Sequence, residues 1–189
     1  MIDLRNNSLP DTITVDGREF LINTDFREWL KFGKLAEENN SLAEYIYLFK
    51  DTFPIGVNFF PQLKEFYFNP NTTPHGSSSN DKLYDYIEDG EYIVAGFMQA
   101  YNIDLTTCKM HWHLFKALFI GLPDDTKIKQ IMSMRGYKKD NKSYDAKCLE
   151  NKSAWSLTNY NHTMDKELQD EINDEFYGAI YDPNKKRKK

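Results

Sequence analysis

Residues 84–125 read YDYIEDGEYIVAGFMQAYNIDLTTCKMHWHLFKALFIGLPDD, and the fold class turns on this stretch. Apolar side chains recur at helical spacing on both sides of the short Tyr101-Asn102-Ile103-Asp104-Leu105 connection, which is the pattern of two helices joined by a turn. The first pattern predicts a helix from residues 81–85 to about Tyr101, with Ile87, Val94, Phe97, Met98 and Tyr101 facing inward. Gly90 and Gly96 interrupt it at roughly 1 kcal/mol each relative to alanine, which implies a neighbouring helix in close approach. The second pattern predicts a helix over about 106–120, capped by Asp104 or Thr106, ended by Gly121 and followed by Pro123. A third opens at Asp124-Asp125-Thr126 and carries Ile128, Ile131 and Met132.

Upstream, residues 12–22 give two short β-prone runs around Asp16-Gly17, a dipeptide suited to a two-residue hairpin turn. Asn23-Thr24-Asp25 then offers capping oxygens for a helix from Phe26, with Phe26, Trp29, Leu30 and Leu35 on one face and Phe32 nearby. Residues 41–49 read as another helix, with Leu42, Tyr45, Ile46 and Phe49 in register. The break at 51–54 ends it. Residues 59–68 are so dense in Phe and Tyr that no face can be assigned. Residues 69–80, NPNTTPHGSSSN, have the composition of a flexible surface loop. Residues 136–152 are lysine-rich and carry no clear pattern, whereas 164–177 return to helical spacing through Leu168, Ile172 and Phe176. The expected architecture is mainly α: one helical domain over 1–180 with a short N-terminal β-hairpin, then a basic, disordered tail over 181–189.

Charge narrows the function classes. The net charge is −5, yet the last five residues, 185–189, are all basic. Without them 19 basic residues face 29 acidic ones, a body too acidic for nucleic-acid binding. Cys108 and Cys148 do not make a disulfide framework. The chain opens without the pattern of a secretory signal, and its apolar runs fall short of a membrane span. The expected setting is a cytoplasm.

Catalytic and metal patterns are weak. Cys108 and His111 can share a helix face, but His113 points away from His111, and Cys148 or His162 would have to complete a site without a spacing motif. Gly76-Ser77-Ser78-Ser79 lacks the glycine spacing of a phosphate loop, and no nucleophile elbow or His-Glu-x-x-His run occurs. The neighbouring pairs Glu88/Asp89 and Asp124/Asp125 point in different directions, and the second suits a helix N-terminus. The expectation is a protein without catalytic residues, metal or other cofactor. Trp112, Phe115, Leu118 and Phe119 read first as core. Phe59, Phe60, Phe66, Tyr67 and Phe68 crowd a segment too short to turn every ring inward, so a partner-binding apolar patch is expected there. Trp112, Phe115 and Phe119 on the following helix are candidates for the same surface.

The ordered set Ile22-Asn23-Thr24-Asp25-Phe26-Arg27, Tyr101-Asn102-Ile103-Asp104-Leu105, Met110-His111-Trp112, Phe115-Lys116-Ala117-Leu118, Gly121 to Lys127 and Ile131-Met132-Ser133-Met134-Arg135 resembles the bacteriophage gene-product-fifteen family of siphophages from Gram-positive hosts. The likeness runs over roughly 12–150, with His113 standing where the family pattern has a second aromatic. The resemblance implies a tail-assembly chaperone in the host cytoplasm, holding the long apolar tape-measure protein until tail-tube subunits wrap it. The major tail protein is a further implied partner, and a homo-oligomer a possible state. The alternative it leaves is a tail completion or connector protein of the virion; a third, nucleic-acid binding through the lysine run, meets the charge argument above.

Overall fold

The computed structural model describes residue 5 and residues 8–37, 41–68, 82–137 and 146–157. The loop expected at 69–80, the helix at 164–177 and the basic tail at 181–189 lie outside the described residues. The fold is mainly α with a two-stranded antiparallel hairpin near the N-terminus. The described residues group into two compact units. The first holds those up to residue 68 together with Lys109–Ala117; the second holds 82–108, 118–137 and 146–157.

In the first unit, β1 (Thr12–Val15) pairs with β2 (Arg18–Leu21) in the register Val15 to Arg18, which leaves Asp16 and Gly17 as the two-residue turn. Both have positive φ, 48° and 75°, as a primed hairpin turn requires. Ile13 and Val15 point inward between exposed Thr14 and half-buried Thr12, and α2 (Phe60–Phe68) packs on β1. Beyond β2, Asn23 N–H donates to the Leu48 carbonyl and Lys50 N–H to that of Leu21, so the hairpin gains a short third edge.

Asp25 accepts the Arg27 amide at 3.0 Å and starts α1 (Phe26–Glu37) where the capping residues predicted it. The buried face is Phe26, Trp29, Phe32, Gly33 and Ala36. Leu30 and Leu35, expected to share that face, flank it half-buried, because the larger Trp29 and Phe32 rings take the centre. The helix expected over 41–49 is instead a 3-10 helix, Leu42–Leu48. Its buried side chains, Tyr45 and Leu48, are three apart, the repeat that eclipses in a 3-10 turn. Leu42 and Ile46 are left at or near the surface.

In the second unit, α3 (Gly90–Tyr101) begins later than its periodicity predicts. Asp85 accepts the amides of Ile87 and Glu88, at 2.7 and 3.1 Å, and these bonds turn the chain before the helix. Ile87 is consequently 73% exposed and Met98 is also exposed, so neither is core. Gly96 behaves as expected: a Cβ there would stand 3.3 Å from Ile128 and Leu122. Asn102, in left-handed conformation with its N–H on the Met98 carbonyl, ends α3. The next helix also starts late. Asp104 caps a turn through Thr106 and Thr107, and α4 (Trp112–Ile120) waits until the extended pairing of Asp25 with His111 is complete. α5 (Lys127–Arg135) follows Thr126 and buries Ile128, Ile131 and Met132 as predicted. Lys129 donates to the Ile120 carbonyl at the end of α4, and burial lowers its pKa.

Arg135, at the end of α5, ties the second unit together. Its guanidinium forms a buried two-point pair with Asp89 and donates to the carbonyls of Leu83 and Trp155. Trp155 follows α6 (Ala146–Ala154), which packs on α5. Replacing Arg135 with Met should lower stability by about 3–5 kcal/mol, since it leaves the buried Asp89 carboxylate without its countercharge, held only by the Asp85 amide, and takes the donor from two carbonyls; urea melts of the two chains measure the difference. A second expectation concerns Gly33, where a Cβ would lie 2.6 Å from the Tyr67 hydroxyl. Gly33→Ala should cost roughly 1–3 kcal/mol, and the loss should shrink in a Tyr67→Phe background if that contact is its cause.

Candidate partner-binding groove

The aromatic residues proposed from sequence as a binding surface are almost all interior. Phe66 lies against Trp29, ring centres 4.5 Å apart, and stacks on His113 at 4.4 Å. Tyr67 stacks on Trp112 at 4.9 Å and meets Phe68 edge-on. Phe115 stacks on Phe26 at 4.7 Å. Phe119, in the second unit, meets Tyr84 and Tyr86. Phe59 packs edge-on to Phe49, and Phe60 sits half-buried between Phe32 and Tyr45. The apolar patch expected at Phe59, Phe60, Phe66, Tyr67 and Phe68 is therefore corrected: Phe60 is half-buried and the other four are buried, while Trp112, Phe115 and Phe119 are buried as their reading as core had it. A nine-residue helix can turn this many rings inward because α1, the 3-10 helix and α4 offer rings on different sides of it.

The last carbonyls of α2 meet a set of donors borrowed from α4. A helix end leaves its last carbonyls without partners. Trp112 Nε1 donates to the Tyr67 carbonyl at 2.9 Å, and Lys116 Nζ donates to those of Tyr67 and Phe68 at 2.6 and 2.8 Å. His113 Nε2 lies 2.8 Å from the Phe66 carbonyl. A carbonyl only accepts, so Nε2 carries the proton and Nδ1 is bare; that Nδ1 is buried without a partner among the described residues. His111 takes the same tautomer, since its Nδ1 accepts the His113 amide and its Nε2 faces the Pro10 carbonyl. Burial holds the His111 pKa below the ordinary value and that of His113 down at about 4, with Lys116 and His111 opposing a further charge on His113.

The open apolar feature lies elsewhere in the first unit. The 3-10 helix and the Phe53-Pro54-Ile55-Gly56-Val57 segment bound a groove of about 340 Å³, lined by Leu42, Ala43, Ile46, Phe53, Val57 and neighbours. Phe59, itself buried, is also part of the lining. Ile55 rises from it at 82% exposure, on a turn that Gly56 makes with a φ of 73°. Three of the six large exposed apolar side chains among the described residues, Leu42, Phe53 and Ile55, line this groove, so it concentrates what the surface elsewhere scatters. Of the residues singled out from sequence as partner-binding, only Phe59 reaches it. The overlooked signal was an apolar run broken by Pro54 and Gly56, a composition that cannot form a helix and bury a face. Among the described residues, no group of three or more His, Cys, Asp or Glu could hold a metal ion, and no helix is long and apolar enough to cross a membrane.

The capping set gives a pH dependence. His113 binds its proton near pH 6.5 when unfolded but only near 4 when folded, so stability is full above that window and falls as pH drops through it. The loss at the acid end is about 3 kcal/mol. Urea melts between pH 7 and 4 should show this slope, and His113→Gln, which keeps a donor without titrating, should flatten it.

The family described as Bacteriophage Gp15 protein matches residues 58–157. No curated protein and no solved structure matches the chain. The matched span takes in α2, the capping residues of α4 and the Arg135 clamp, while most of the groove precedes it. It covers more than half of the 189 residues, and the chain belongs to this bacteriophage family, with the structural or assembly role in the phage that membership brings.

Proposed function

We propose that this protein is a tail-assembly chaperone that holds the phage tape-measure protein in the host cytoplasm while the tail forms. The observation that carries the reading is the apolar groove beside Ile55 on an acidic chain of net charge −5. A long apolar helical client needs its greasy faces covered, and an amphipathic helix laid in a groove is a common way to cover them. Negative charge on the holder limits its own association while it does so. The role is binding without chemistry: no bond in the client is made or broken, and no cofactor takes part. Release needs only moderate affinity, since each 1.4 kcal/mol changes the binding constant about tenfold. Tube subunits, the major tail protein among them, would compete the client away.

Co-expression with fragments of the tape-measure protein tests the reading. The expected result is a fragment that stays in solution and co-purifies with the chaperone. A fragment that precipitates equally with and without it overturns the proposal. Mass spectrometry of purified phage adds a second arm: a chaperone is absent from particles, whereas a fixed copy number per particle marks a tail completion or connector subunit.

A further inference from the structure

The size of the groove and the charges carried by the chain segments that form it restrict what can enter. Its volume of about 340 Å³ lies at the small end of ligand-sized pockets. That suits two large apolar side chains from one short segment, not a broad protein face. Side chains three or four apart on a helix stand roughly 5–6 Å from each other, which is the spacing such a groove accepts most readily. Within residues 41–59 the charged side chains are Glu44, Lys50 and Asp51, all exposed. Neither carboxylate has an ion-pair partner among the described residues. A second copy of the chain would bring a further −5 against −5, so electrostatics oppose self-association and favour a positively charged visitor.

We propose that the groove takes a short apolar helical segment with two large side chains one turn apart and lysine or arginine on its flanks. This rests on the protein-holding role proposed above and names the chemistry of the segment held. Ile55 forms the wall that closes over the first anchor, and Glu44 and Asp51 meet the basic flanks. The groove residues before Asn58 lie outside the span matched by the family.

The test uses two fluorescein-labelled amphipathic peptides with identical leucine anchors, one flanked by lysines and the other by glutamates. Each is titrated with the full chain and followed by fluorescence anisotropy. The lysine-flanked peptide should bind at least about tenfold more tightly, and the margin should narrow as salt screens the flanks. Ile55→Asp and Ala43→Trp, the first removing the exposed wall and the second filling the groove, should each weaken binding at least about tenfold while leaving the melting curve intact. Equal affinity for the two peptides overturns the charge preference. Undiminished binding by both variants overturns the site. A dimer in sedimentation that Ile55→Asp disperses assigns the groove to a second copy instead. If the peptides bind as expected but no tape-measure fragment co-purifies, the chaperone reading fails and this inference stands; if fragments co-purify equally with Ile55→Asp, the reverse holds.

Discussion

A helix that ends inside a core must find donors for carbonyls that water cannot reach. In the first unit this requirement falls on α2, and one short stretch of α4 meets it with an indole, an imidazole and an ammonium. An unpartnered buried carbonyl costs on the order of 1–3 kcal/mol, so the three together amount to a large part of a domain's net stability. Lys116 is buried with its charge directed at two carbonyls. The negative end of the α2 dipole favours a cation there. The ring stacking of Tyr67 on Trp112 and of Phe66 on His113 follows from the same bonds, because the donors bring their rings with them.

Two kinds of apolar surface are thus separated within the first unit. Rings that sequence density marked as sticky are consumed by one another, in tilted and stacked pairs around α1, α2 and α4. Phe53 and Ile55, on an irregular segment, face outward, where Pro54 and the left-handed Gly56 keep the chain from forming a helix that would roll them inward. Recognition by such a segment has a physical advantage. Its shape is constrained by proline and a left-handed glycine, so little ordering would be lost on binding a partner of the kind proposed.

Local chemistry was readable from the sequence wherever short-range rules dominate. Asp16-Gly17 announced the hairpin, Asp25 the start of α1, and Ile128, Ile131 and Met132 the inner face of α5. The departures arose where distant partners intervened. The α3 periodicity begins at Asp85, but that carboxylate takes two backbone amides for itself and delays the helix to Gly90. The helix expected from Thr106 yields to a strand-like pairing, in which Trp112 N–H donates to the carbonyl of Thr24. Burial of the Phe59 to Phe68 rings could not be read because their neighbours come from residues 26–36, 45–49 and 111–116. The groove was missed for the opposite reason. Its apolar residues are few and lie among turn formers, where composition signals a loop.

The bonds from Trp112 and Lys116 to the end of α2 span 45 and 49 residues of chain. As the polypeptide leaves the ribosome, the aromatic helix is therefore made well before the groups that finish it. During that interval its rings and bare carbonyls face water or a chaperone of the host, and contacts this distant in sequence form slowly. Synthesis halted between these two segments would leave the nascent chain at its most prone to aggregate.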